Sequence, residues 1–159
     1  MESVEVWMWV IAGLLIGSIM FVAGSSLLAR YLNSQDIGIA RSNFNQIAEI
    51  SKKICRLGIY SEETMTLRIP SVASKIAVVD KDLIEGQGND ICLWIRNQAG
   101  SQCEKIDTCE TKMNSVVFEA DQTPFYMIQR LTGAKQPAVI TFKITKTGFD
   151  AVQITWKPN

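Results

Sequence analysis

The chain contains no histidine. This removes the commonest general base and the commonest metal ligand together. Serine, threonine and cysteine are left without the partner that normally activates them as nucleophiles. An excess of either charge is also missing, since 16 basic and 16 acidic side chains cancel to a formal net charge of zero. Without a basic surplus no counterion release drives binding to DNA or RNA, so nucleic acid is not expected as a partner. No Asn-x-Ser/Thr sequon occurs, and no N-glycosylation is predicted. Cys-x-x-Cys is absent too, which together with the missing histidine argues against zinc. Gly86 and Gly88 are only a fragment of a phosphate-cradling loop, with no strand–glycine–helix order around them. Asp80, Asp82, Glu85 and Asp90 lie close in sequence but lack EF-hand spacing, so they read as a solvated acidic loop rather than a calcium site. The expectation is a protein with no catalytic residues, no cofactor and no resident metal.

Charge is scarcest near the front. Val6 to Ala29, VWMWVIAGLLIGSIMFVAGSSLLA, carries none at all. At helical rise the run spans ~36 Å, more than the ~30 Å hydrocarbon core of a bilayer. Its hydroxyls, Ser18, Ser25 and Ser26, can each bond back to a carbonyl one turn earlier. Trp7 and Trp9 mark one end and Arg30 with Tyr31 the other, as interfacial rings and a snorkelling cation do. A buried core helix and a cleaved secretory signal are the rivals. The first is uncommon for an uncharged run this long, and the second wants a basic start, where MESVE is acidic. The run is read as a retained transmembrane helix, with the lipid bilayer as a partner. Glu5, at its start, suits the positive end of the helix dipole, and in a bundle it would need a cation from another subunit. Gly13 and Gly17 form a G-x-x-x-G pair that lets helix backbones approach closely.

Beyond Tyr31 the pattern turns amphipathic. Ile37, Ala40, Phe44, Ile47, Ala48, Ile54 and Cys55 make one apolar stripe, Lys52, Lys53 and Arg56 crowd the last turn, and Gly58 follows as a stop. Helix is predicted from about Val4 to Leu57, either unbroken or bent near Asn33 and Gly38. The period then changes to two. Met65, Leu67 and Ile69 alternate with polar residues, Lys75 to Asp80 reads as a short strand, and Ile91, Leu93 and Ile95 face one way. SVVFE (Ser115 to Glu119) reads as another strand, and residues 125–131 stay ambiguous between strand and helix turn. Ile140, Phe142 and Ile144, a TKTG turn, then Val152, Ile154 and Trp156 make a hairpin. The expected fold is α+β: a long N-terminal helix packed through its second half on an antiparallel sheet or small sandwich. Three segments follow: 1–32 with the membrane helix, 33–58 as the amphipathic continuation, and 59–159 as a β-rich, disulfide-stabilised head.

All four cysteines, Cys55, Cys92, Cys103 and Cys109, follow the apolar run. An even count in a small anchored domain suggests two disulfides and an oxidising, external compartment; free thiols or a metal site are the alternatives. Four cysteines allow three pairings. The expected one joins Cys103 to Cys109 in a small ring and Cys55 to Cys92 as a staple between helix and sheet. Arg30 and Arg41 follow the helix with nothing basic before it, a thin bias toward a cytoplasmic head. The cysteines argue more strongly for an extracellular one.

A long apolar helix with Glu5 at its start, an amphipathic continuation and a cysteine-bearing β domain resemble a type IV pilin, with the small, β-rich archaeal pilin-like branch as the nearer likeness. The resemblance is architectural and covers the whole chain, through loose motifs. It implies that the apolar half anchors the subunit in the membrane and later forms the filament core, with copies of the chain or related pilin-like subunits as partners. It also implies that Glu5, if Met1 is the first residue, offsets the amino terminus of a neighbour. The expected function is a structural, non-catalytic subunit of a cell-surface filament. The alternatives are a single-pass, membrane-anchored extracellular β domain acting as adhesin, sensor or envelope-complex subunit, and a membrane-tethered enzyme, for which no nucleophile–base pair is seen.

Overall fold

The computed structural model describes residues 2–80, 85–106, 109–118 and 137–159, with side chains of the first helix described from Val6 onward. The chain forms two compact units, Met1–Gln35 and Asp36–Asn159. Helical backbone runs without interruption through α1, Glu2–Arg56, so neither Asn33 nor Gly38 breaks it. Nine strands follow among the described residues: β1 (Glu62–Ile69), β2 (Ala73–Val79), β3 (Gln87–Gly88), β4 (Asp90–Ile95), β5 (Ser101–Lys105), β6 (Glu110–Met113), β7 (Val116–Val117), β8 (Ala138–Gly148) and β9 (Ala151–Pro158). The class is α+β, one long helix with sheet packed on its second half.

In the N-terminal unit no residue of the apolar run is buried, and all but Ala12 and Ala29 are exposed; an 18-residue window has a mean hydropathy of 2.2. It is long and apolar enough to cross a membrane. Its hydroxyls are satisfied within the helix, Ser18 donating to the Leu14 carbonyl at 2.7 Å, Ser25 to Val22 at 2.9 Å and Ser26 to Ala23 at 2.8 Å. Such bonds let serine sit in a segment that offers no water to bond to.

The C-terminal unit is built on two sheets. One has the order β1-β8-β9-β6-β3, the other β5-β4-β2-β7. The stripe of α1 enters the core between them as its 3.6-residue period demands: Ala40, Phe44, Ile47, Ala48, Ile54 and Cys55 are buried, with Ile37 partly so. Phe44 and Ile47 meet Phe142, Ile76, Leu93 and Ile154 in one cluster of buried side chains. At ~25 cal/mol per Å² this burial is the main stabilising term, and truncating an aromatic such as Phe44 to alanine costs about 3–5 kcal/mol. The flanks of the helix reach the terminal strand of each sheet. Asn43 Nδ2 donates to the Arg68 carbonyl on β1 at 2.7 Å and Lys53 pairs with Glu63 at 2.8 Å. Toward β5, Lys52 pairs with Glu104 at 3.2 Å and Gln102 donates to Asn45 at 3.3 Å. On β1 this gives a partner to the Arg68 carbonyl, a backbone group on an edge strand; on β5 the contacts join side chains only.

Several expectations need correction. The sheets are not wholly antiparallel, because β6 runs parallel to β9. Alternating hydrophobicity fixes which face a residue takes, not the direction of its neighbour, and the long connection through β7 and β8 supplies the crossover that a parallel pair requires. The final hairpin turns at Phe149–Asp150 rather than at TKTG. A bulge between Lys146 and Gly148 carries β8 four residues further, so Gly148 pairs with Ala151. SVVFE contributes only Val116–Val117 as strand; Glu119 lies outside the described residues, as do Asp82 and residues 125–131.

The cysteine pairing differs as well. Cys55 bonds Cys109, and Cys92 bonds Cys103. In the β4–β5 hairpin Cys92 and Cys103 stand directly opposite, with Cα atoms 4.1 Å apart, so cross-strand register and not sequence nearness chose the partner. The segment expected to close a ring is instead divided between β5 and the approach to β6. The staple from the helix end to the strands exists, but Cys109 provides it.

One glycine is required by close approach. A Cβ on Gly88 would stand 2.1 Å from the Val79 carbonyl oxygen, so β3 can lie against the end of β2 only with a bare Cα there.

Candidate functional site

Glu5 lies in helical backbone at the start of α1, and its side chain is outside the described residues. Gly13 and Gly17 sit four residues apart, which places them on one face of the helix, and a Cβ on either would meet nothing within 4 Å. Nothing in the isolated chain therefore requires glycine at these positions. The four cysteines are structural: Cys55, Cys92 and Cys109 are buried, and only Cys103 is exposed. Among the described residues no group of acidic side chains that could hold a metal is found, Asp82 lying outside them; Glu85 is paired with Lys75, whose ammonium also lies 5.5 Å above the Trp94 ring.

Three features escape sequence reasoning. The first is Lys146. Its side chain is buried, and Nζ donates to the carbonyls of Cys55 at 2.5 Å and Leu57 at 2.7 Å. A helix end leaves carbonyls unpaired with a partial negative charge, and here a lysine from 90 residues downstream meets both needs. Lys146 continues the inward face of Ile140, Phe142 and Ile144 in strict alternation, and sequence reasoning misses it because TKTG reads as a turn.

The second is an apolar cavity of about 660 Å³. Ile39 of α1, Pro70 after β1, Val117 and Phe118 at β7, Val139 of β8 and Pro158 of β9 contribute to its lining, with Asp36 and Arg68 as charged members. Its signal in the sequence is faint: Pro70 and Pro158 at the ends of β1 and β9 and Pro137 just before β8, which limit further ladder there.

The third lies where the chain leaves the helix. Leu57, Ile59, Tyr60 and Phe149 are exposed large apolar side chains, Tyr60 at 84% and Phe149 at 82%. Tyr60 has a φ of 70°. Ser61 N–H donates to the Gly58 carbonyl at 3.2 Å, Tyr60 N–H to the Lys146 carbonyl at 3.0 Å, and Lys146 N–H to the Ser61 carbonyl at 2.9 Å. This is a tight turn running into a bulge, with Tyr60 at the left-handed position that glycine ordinarily takes.

No protein family, curated protein or solved structure matches the chain. The functional reading rests on this geometry alone.

Proposed function

We propose that the chain is a structural, non-catalytic, pilin-like subunit of a cell-surface filament, anchored and packed through its N-terminal helix against copies of itself or related subunits. The observation that carries this reading is the division of labour within α1, whose front is apolar and exposed while its back half is core. An apolar surface of that size is not left in water. Lipid covers it before assembly, and neighbouring helices cover it afterwards. Gly13 and Gly17 support such packing, because their bare backbone faces no atom of their own unit. The two disulfides fit a C-terminal unit in an oxidising, extracellular compartment.

The test is expression of the full chain in cells followed by negative-stain microscopy of the surface. Filaments are expected from the wild type, and Glu5→Lys or Gly13→Leu with Gly17→Leu should abolish them. An unchanged filament yield with Glu5→Lys would remove the main support. A wild-type chain that forms no filaments and stays monomeric in detergent points instead to the single-pass anchored domain that binds a target outside the cell.

A further inference from the structure

We infer that the C-terminal units stack head to tail, with Tyr60 and Phe149 of one copy seated in the cavity lined by Ile39, Pro70, Val117, Phe118, Val139 and Pro158 of the next. This rests on the filament reading for one purpose only, the high local concentration of copies.

The starting point is a residue that the fold does not need. Tyr60 holds a left-handed backbone conformation that glycine adopts freely and other residues adopt at a cost, yet its ring is 84% exposed and packs on little. Phe149, at the two-residue connection between β8 and β9, is equally bare and lies three residues beyond Lys146, to which Tyr60 is bonded. Leu57 and Ile59 extend the same protrusion. Charges around it are engaged elsewhere: Lys53 with Glu63, Lys143 with Glu62, and Lys146 with the helix carbonyls. Asp150 beside Phe149 and Arg56 at the helix end flank the protrusion, but the large side chains it exposes are apolar and suit an apolar, concave partner.

The same unit carries one at its opposite end. Asp36 and Ile39 line the cavity, whereas Arg56 ends the helix beside the protrusion. The 20 residue steps from Asp36 to Arg56 separate the two by about 30 Å at 1.5 Å per residue. A knob at one end and a socket at the other make a heterologous contact, which propagates and does not close. Size fits the role. Two aromatic side chains present roughly 300–400 Å², well below the ~800 Å² per partner of a stable pair, so the contact forms only between copies already held side by side. That condition favours a second copy over a soluble partner.

The experiment places p-benzoyl-phenylalanine at position 149 of the full chain, irradiates membranes and filaments from expressing cells, and maps the products. Cross-linked dimers are expected, joined at the socket residues of a second copy. Val117→Asp, at a position already 65% exposed, should lower the dimer yield about tenfold. Tyr60→Gly should keep or raise the melting temperature while reducing filament yield, a combination that damage to the fold does not produce. Cross-links to another protein, within one chain, elsewhere on a second copy or nowhere overturn the stacking contact, as does a Tyr60→Gly chain with unchanged filaments. If wild-type filaments form while the cross-link misses the socket, the filament reading stands and stacking alone fails. If no filaments form, the filament reading fails independently of where the cross-link falls.

Discussion

Lys146 meets, with one side chain, the negative end of the helix and two carbonyls that would otherwise lack partners. Its replacement by methionine keeps most of the volume and removes only the ammonium. Leaving buried carbonyls unsatisfied costs about 1–3 kcal/mol, so Lys146→Met should lower the unfolding free energy by roughly 2 kcal/mol in a denaturant titration. A loss below about 0.5 kcal/mol would show that water reaches those carbonyls unaided. Lys52 contributes less and in a pH-dependent way. Its hydrogen bond to the Glu104 carboxylate raises its pKa above the ordinary 10.5; burial opposes the rise and Glu49 adds to it. A raised folded-state value means that its stabilisation is complete below about pH 10.5 and disappears as the pH climbs through the higher folded value. Because Glu104 is 41% exposed, the pair contributes at most about 1 kcal/mol. Glu104→Gln should therefore lower the neutral plateau by up to about 1 kcal/mol and flatten the alkaline fall, the two profiles converging at high pH.

At the scale of elements, the two disulfides act on different loops. Cys55–Cys109 closes 54 residues of sequence and ties the helix end to the approach to β6, whereas Cys92–Cys103 closes 11 within one hairpin. Loop-closure entropy assigns about 4 kcal/mol to the first and about 3 kcal/mol to the second. Cys55→Ala with Cys109→Ala should lower the denaturation midpoint more than Cys92→Ala with Cys103→Ala. The reverse order would show that the hairpin bridge, not the helix staple, limits unfolding. These bridges also mark where the sequence stopped being legible. The stripe of α1 could be read because seven apolar positions share one helical face. The alternation of Met65, Leu67 and Ile69, or of Ile140, Phe142 and Ile144, revealed strands because a pleat has period two. The identity of each strand's neighbour could not be read, since partner, direction and register depend on contacts far apart in sequence. The parallel pairing of β6 with β9 and the alignment of Cys92 with Cys103 are both of that kind. The socket is assembled from five separate segments and the aromatic protrusion from two, so no local pattern announces them.

For the whole molecule, the decisive question is on which side of a membrane the C-terminal unit stands, and the structure supplies its own reporter. No free cysteine is present. Within the Cys92–Cys103 bridge Cys103 is exposed, whereas Cys92 is fully buried. A membrane-impermeant maleimide added to intact cells should therefore label nothing at first. After an impermeant phosphine reductant it should label one thiol per chain, identified as Cys103 by peptide mass, while Cys92 stays shielded by the sheet. Labelling that requires lysis would put the unit in the cytoplasm, and labelling without reduction would mean that the bridge is not formed there. Either result removes the oxidising external compartment on which a surface filament depends. The expected result fixes orientation and pairing together, because a thiol that appears only after external reduction must have been both outside and bonded.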